Sequence, residues 1–222
     1  MPERLGIVVG LEAEARIARE LTRPELVVAS GATAAGVARA VAILRERGAG
    51  ALMSFGLAAG LDPRLQPGTL LVPRTVRSGA GPRQERHAVD PRPGEWLPGA
   101  EAGELLHAAE LVAEPREKAQ LFADTGCVAL DMESGVVGAA AAAMGVPFLV
   151  LRAVCDPADR ALPPAARLPL GAGGRVAAWR VAESILRRPA QVPELVRLGR
   201  DAGRAMRALR DGVRQLSGRI EG

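Results

Sequence analysis

Tyrosine is absent from this 222-residue chain, and three phenylalanines and two tryptophans bring the aromatic share to only 2%. A chain so poor in flat side chains has almost no platforms on which unpaired bases stack, so a single-stranded nucleic-acid binder is disfavoured. The two cysteines, Cys127 and Cys155, are too few for a disulfide framework. The two histidines, His87 and His107, have no ligand spacing with those cysteines, and no metal site is expected. No apolar run approaches the ~20 residues that cross a bilayer, and no apolar targeting segment follows Met1. The expectation is a soluble, cytoplasmic protein. Lysine is nearly missing too. Lys118 stands alone against 28 arginines, a skew that, with 42 alanines, has the look of codon bias.

What is present is ordinary globular material, 48% apolar and 24% charged. The length suits one domain. Charge is distributed unevenly. Residues 1–196 sum to zero, whereas residues 197–219 hold seven arginines against two aspartates and so carry the excess behind the net +4. In that segment Leu195, Leu198, Ala202, Ala205, Leu209, Gly212 and Leu216 recur at three- and four-residue intervals, one helical stripe with arginines around it. It reads either as a surface helix docked by its stripe or as a basic amphipathic helix that meets an anionic membrane or a partner. The expected division is a catalytic body over 1–190 and a basic amphipathic helix over 191–222.

Along the body, short apolar runs alternate with helical periodicity. Strands are predicted at 5–9, 26–29, 51–55, 69–72, 127–130 and 148–154, and helices at 13–21, 34–47, 134–144 and about 174–187. Residues 56–60 read as a small-residue turn and 77–103 as a long Gly/Pro-rich loop. Continuous apolar strands between helices predict an α/β fold, a three-layer αβα sandwich around a mostly parallel sheet. Ligands of such sheets bind beyond the carboxyl ends of the strands. Glu12, Glu14, Ser30, the 56–60 segment and Asp156 all fall there. A Gly-x-Gly-x-x-Gly dinucleotide turn is missing, because Gly10 is followed by Leu11-Glu12-Ala13.

Taken singly, these acids have plain structural readings: helix N-terminal charges for Asp131 and Glu133, and an Asx-turn for Asp156 before Pro157. Their order along the chain is more specific. Gly10-Leu11-Glu12-Ala13-Glu14-Ala15, Ser54-Phe55-Gly56-Leu57-Ala58-Ala59-Gly60-Leu61-Asp62, Asp131-Met132-Glu133-Ser134 and Arg152-Ala153-Val154-Cys155-Asp156-Pro157-Ala158-Asp159 follow one another. The set resembles the purine nucleoside phosphorylase and methylthioadenosine nucleosidase superfamily over about residues 5–186. Segments 9–18, 54–63 and 130–170 look closest to the hopanoid-associated phosphorylase branch, which is held to release adenine from adenosylhopane.

The resemblance implies a nucleoside-phosphorylase-like fold and an N-glycosidase acting on an adenine nucleoside, most closely adenosylhopane. Glu133, beside Met132, would hold the ribose hydroxyls, Asp156 would protonate purine N7, and Arg152 would lie nearby. Glu14 would activate water, with Glu12 as the fallback. Ala58 and Ala59 would pack beside ribose and base, and Ser30 lies at a neighbouring strand end. No cofactor is implied, and phosphate enters only as a co-substrate of phosphorolysis. Where many phosphorylases of the superfamily place two arginines and a serine for phosphate, this chain has Glu14, Ser54 and Leu57, which favours water as the acceptor. The resemblance also implies a homo-oligomer, with no nucleic-acid partner. Rival readings are a methylthioadenosine/S-adenosylhomocysteine nucleosidase and a non-catalytic nucleoside-binding regulator. Cys155 reads as a small buried hydrophobe rather than a nucleophile.

Overall fold

The computed structural model describes residues 4–79, 84–168 and 178–218. Its centre is a mixed sheet with strand order β2-β1-β3-β8-β7-β5-β6, in which β9 pairs with β3, and the two-residue β4 (Leu70–Leu71) pairs antiparallel with β9. The parallel heart consists of β1 (Leu5–Val9), β2 (Val27–Ala29), β3 (Ala51–Gly60) and β9 (Phe148–Asp156). β1 is buried at every position, the signature of a strand covered on both faces. The second half comprises β5 (Thr75–Ser78), β7 (Leu105–His107) and β8 (Ala129–Asp131), which run parallel to one another. The end of β3 reaches across to pair antiparallel with β8, Ala59 opposite Leu130.

Helices close both faces. Helix α1 (Glu12–Ala18) and helix α7 (Val192–Ser217) share one core with β1, β3 and β9, formed by Ile7, Ile17, Phe55, Leu151, Leu209 and Leu216 among others. Helix α2 (Ala34–Glu46) and helix α5 (Ser134–Met144) share the opposite core through Val37, Leu44, Val137 and Ala141. The expected three-layer α/β architecture is therefore present. Helix α4 (Pro115–Thr125) covers the β8 end, where Leu121 and Phe122 pack on Leu61, Leu106 and Leu130.

Two sequence readings need correction. Residues 56–60 are not a turn. They continue β3 to Gly60, because β9 pairs with them up to a bulge between Ala58 and Ala59, and β8 takes the last two. A strand so engaged offers no nest of free N–H groups for an anion. Residues 77–103 are not one loop either. β5 runs to Ser78 and pairs antiparallel with β6 (Glu85–Ala88), and helix α3 (Arg92–Trp96) follows. The helix expected from about 174 is described from Ala178, as α6 (Ala178–Arg187); residues 169–177 lie outside the described residues.

The C-terminal periodicity is realised as α7. Ala205, Leu209, Val213 and Leu216 are fully buried in the core beneath β9, while Arg197, Arg200, Arg204, Arg207, Arg210 and Arg214 are exposed. Among the described residues no helix is long and apolar enough to cross a membrane. Leu209, at 0% exposure, is therefore structural. Leu209→Ala is expected to lower the unfolding free energy by about 2–5 kcal/mol, the usual cost of emptying a leucine site in a core, measured by urea denaturation.

Candidate active site

Groups from the middle of β3, the end of β8 and the start of α5 meet around one guanidinium in the middle of β9. Arg152 of β9 is 1% exposed, and a buried cation needs compensating charge. Its Nη2 ion-pairs with Asp131 at 2.6 Å and Glu133 at 3.0 Å, and donates to Ser54 Oγ at 2.6 Å. Nη1 donates to the Leu57 carbonyl at 3.2 Å. Asp131 ends β8 and also caps α5, accepting the Ser134 N–H at 3.1 Å. Glu133 stands at the N-cap position of α5, but its side chain makes no cap hydrogen bond and turns to Arg152 instead.

Glu14 joins this cluster from α1. Its Oε2 accepts the Leu11 N–H at 2.8 Å, closing the first turn, and its Oε1 accepts the Leu57 N–H of β3 at 2.9 Å. Two glycines make room for it. Gly56 has φ +147, and a Cβ there would lie 2.5 Å from Glu14 Oε1. A Cβ on Gly10 would come within 2.9 Å of Glu133 Oε1 and 3.4 Å of Glu14 Oε2, so both carboxylates lie against the same stretch of backbone. Three carboxylates thus surround one guanidinium. Burial pushes the Glu14 carboxyl above its usual range, against the attraction of Arg152 and hydrogen bonds from the backbone. Burial also pushes Glu133 up to about 7; Arg152 opposes this, while Asp131 and Glu14 reinforce it.

Asp156, the last residue of β9, sits in a different environment. Its Oδ2 accepts from Lys118 Nζ at 2.7 Å. Lys118, on α4, is 0% exposed and donates in addition to the Pro157 and Arg160 carbonyls, each at 3.0 Å. Burial raises the Asp156 carboxyl and Lys118 holds it back. A cavity of about 180 Å³ opens beside it, lined by Cys155, Asp156, Arg160, Leu162, Leu198 and Asp201. The Cys155 thiol is pushed up to about 12 by burial, then by the charges of Asp156 and Glu14, so it is no nucleophile at neutral pH.

Of the residues singled out in sequence, Glu14, Glu133 and Arg152 come into one cluster. Asp156 lies four residues beyond Arg152 on the same strand, about 13 Å on at the usual strand rise. Asp156 and Glu133 share no hydrogen-bond partner among the described residues. Ala58 and Ala59 flank the bulge opposite Asp156, and Met132 is half-buried between Asp131 and Glu133. Ser30 is buried near Gly10, but its hydroxyl is turned onto the Ala32 N–H at 3.1 Å. Glu12 is a correction: it is exposed, paired with Arg19 at 2.9 Å, and the capping geometry of α1 turns Glu14 inward in its place. Asp156 is likewise no Asx-turn. Lys118, missed in sequence, had one signal, that of being the only lysine. Among the described residues no group of acids, histidines and cysteines has the arrangement of a metal site.

A family model described as the phosphorylase superfamily matches residues 16–183. The chain belongs to that superfamily and is an enzyme of its nucleosidase–phosphorylase class. Solved structures share the fold. A 5′-methylthioadenosine/S-adenosylhomocysteine nucleosidase of Neisseria meningitidis, bound to methylthio-immucillin-A, is 18% identical, with 96% of this chain and 99% of that one covered and a TM-score of 0.65. An S-adenosylhomocysteine nucleosidase of Streptococcus pyogenes is 20% identical, covering 93% and 96% at a TM-score of 0.62. A futalosine hydrolase of Helicobacter pylori is 15% identical, covering 69% and 89% at 0.60. No curated protein matches the chain significantly.

The acid cluster makes stability depend on pH. Because Glu133 titrates at about 7 in the fold against an ordinary 4.5, the fold favours its protonated form. That contribution is complete below the unfolded value and disappears as pH rises through 7. Glu133→Gln keeps a neutral acceptor for Arg152 and escapes the loss. Its melting temperature relative to wild type is expected to climb between pH 4.5 and pH 8, read by thermal scans across that range.

Proposed function

We propose that the protein hydrolyses the bond between adenine and ribose in an adenine nucleoside. The observation that carries this reading is the placing of two unlike sites along one strand, an acid cluster at Arg152 in the middle of β9 and a cation-backed carboxyl at Asp156 at its end. Breaking a purine–ribose bond builds positive charge on the sugar and negative charge on the base. Glu133 would accept from the ribose hydroxyls and stabilise the cationic sugar. Glu14, whose proton affinity burial has raised, would take a proton from the attacking water. Asp156 would protonate the departing base at N7, an effect of about 10²–10⁴-fold for general acids of this kind.

Water rather than phosphate suits this geometry. Glu14, Glu133 and Asp131 outnumber Arg152, whose guanidinium is already engaged by Asp131 and Glu133, so a phosphate dianion would find no free cation in this cluster. Ser54, where phosphorylases of the superfamily keep an arginine, is buried and engaged by Arg152 and Ser134. We assign adenosylhopane as the substrate on the branch resemblance of segments 9–18, 54–63 and 130–170. The fold shared with methylthioadenosine/S-adenosylhomocysteine nucleosidases supports those nucleosides as the second reading. Adenine release from all three substrates, with and without phosphate, tests the proposal. Free ribose-type product, an indifference to phosphate, and loss of turnover in a folded Asp156→Asn variant are expected. A phosphorylated sugar would overturn hydrolysis, and an active Asp156→Asn would overturn the assignment of the acid.

We also propose that the outer face of α7 meets an anionic bilayer surface, as delivery of a lipid nucleoside would require. Its six exposed arginines share that face with Val192 and Val196, 40% and 47% exposed, and Leu186 nearby is 83% exposed. Aliphatic side chains among the arginines suit lipid better than a nucleic-acid backbone. The protein is expected to sediment with phosphatidylglycerol vesicles and not with phosphatidylcholine. Arg197→Glu, Arg200→Glu and Arg207→Glu together should reduce the bound fraction several-fold; equal binding to both vesicles would overturn the contact.

A further inference from the structure

Lys118 is the only lysine in a chain with 28 arginines, and it is fully buried. It lies on α4 three and four residues before Leu121 and Phe122, the helix's core-facing residues, where an apolar side chain would ordinarily stand. A buried ammonium is tolerated only when its donors are satisfied. This one is satisfied three ways, by Asp156 Oδ2 at 2.7 Å and by the carbonyls of Pro157 and Arg160 at 3.0 Å each. All three acceptors lie in one short segment, which begins with the carboxyl assigned to the departing base. A planar guanidinium matches carboxylates in a flat fork and fits such a clustered set of three oxygens less well than a compact tetrahedral head does.

We propose that Lys118 is a positioning residue for Asp156, fixing Oδ2 and the turn behind it so that Oδ1 is the face offered to the ligand. Among the described residues no other hydrogen bond reaches either Asp156 oxygen. The inference rests on the role given to Asp156 above. Two consequences follow for the acid. Its carboxyl plane is set by α4 rather than by the ligand, so its orientation is formed before binding. Its proton affinity is a balance: burial and Asp159 raise it, Lys118 and Arg160 lower it. Arg160 is itself tied to Asp201 of α7, which leaves Lys118 as the cation in direct contact. A cation against Oδ2 makes Asp156 a better proton donor than burial alone would leave it.

The test uses the full chain and two readouts. Carbon-13 NMR of the carboxyl groups, with the Asp156 signal assigned by its loss in Asp156→Asn, follows the titration without any turnover. In Lys118→Met the Asp156 midpoint should move to higher pH, and in Lys118→Arg, which keeps the charge, it should move much less. Adenine release should show kcat lowered about tenfold or more in Lys118→Met with KM little changed, and the basic limb of the pH profile moved the same way. If Lys118→Met fails to fold, Lys118→Gln, which retains two donors, takes its place. An unshifted midpoint together with a lowered melting temperature would show that Lys118 is merely structural, and would overturn the proposal. The NMR result stands apart from the function: an inactive wild type with a shifted midpoint would sink the reading of the reaction and not the Lys118–Asp156 coupling.

Discussion

The constraint on which the site depends is the burial of Arg152. A guanidinium out of water costs several kcal/mol unless its charge and its donors are met. Here they are met by Asp131 at the end of β8, Glu133 at the mouth of α5, Ser54 on β3 and the Leu57 carbonyl. Strand β3 and the β8–α5 junction are therefore held against β9 by one side chain. Removing Arg152 would leave its buried acids uncompensated, and breaking a buried pair in this way typically costs about 3–5 kcal/mol. The same network that secures these elements fixes the side chain of Glu133, to which the proposed reaction gives the ribose hydroxyls. Stability and chemistry draw on the same atoms, and neither can be altered alone.

Excess negative charge at this end contrasts with the other. Around Arg152 three carboxylates face one cation, so burial is only partly compensated and Glu133 moves to about 7. Around Asp156 one carboxyl faces one buried ammonium, an internally neutral pair. Both acids are raised by burial, and their neighbours differ: at Glu133 other carboxylates push the same way as burial, whereas at Asp156 Lys118 pulls against it. Glu14 is raised by burial as well, while two backbone N–H groups hold it in place.

The parallel strands and the flanking helices were legible because continuous apolar runs and 3.6-residue periodicity are local signals. The acids of the site were legible only as an ordered set, since each alone has a structural reading. The structure shows why: Asp131 does cap α5 and does pair with Arg152. The preference for Glu14 over Glu12 came from the resemblance and not from the residues themselves, because it turns on the phase of α1 relative to Gly10 and Gly56, set by a capping contact at Leu11. The 56–60 segment misled because small residues mark turns in general, whereas here they let Glu14 approach β3 closely. Lys118 was invisible because a lysine on a helix ordinarily faces solvent; only pairing across α4 and β9, far apart in sequence, makes its burial tolerable.

Helix α7 connects these points to the rest of the molecule. Ala205 and Leu209 lie in one core with Ala153 and Leu151 of β9, and Cys155 packs against the same cluster. The strand that carries Arg152 and Asp156 is therefore held from behind by α7 and in front by its ion pairs. A loss of packing at α7 would reach the site as displaced strand geometry, and positioning errors of about 1 Å are enough to cost catalysis heavily. The arginines on the outer face are free of that duty. One helix can in this way carry an apolar inner stripe that holds β9 and an outer charge pattern open to a separate use, because the two faces lie on opposite sides of the same cylinder.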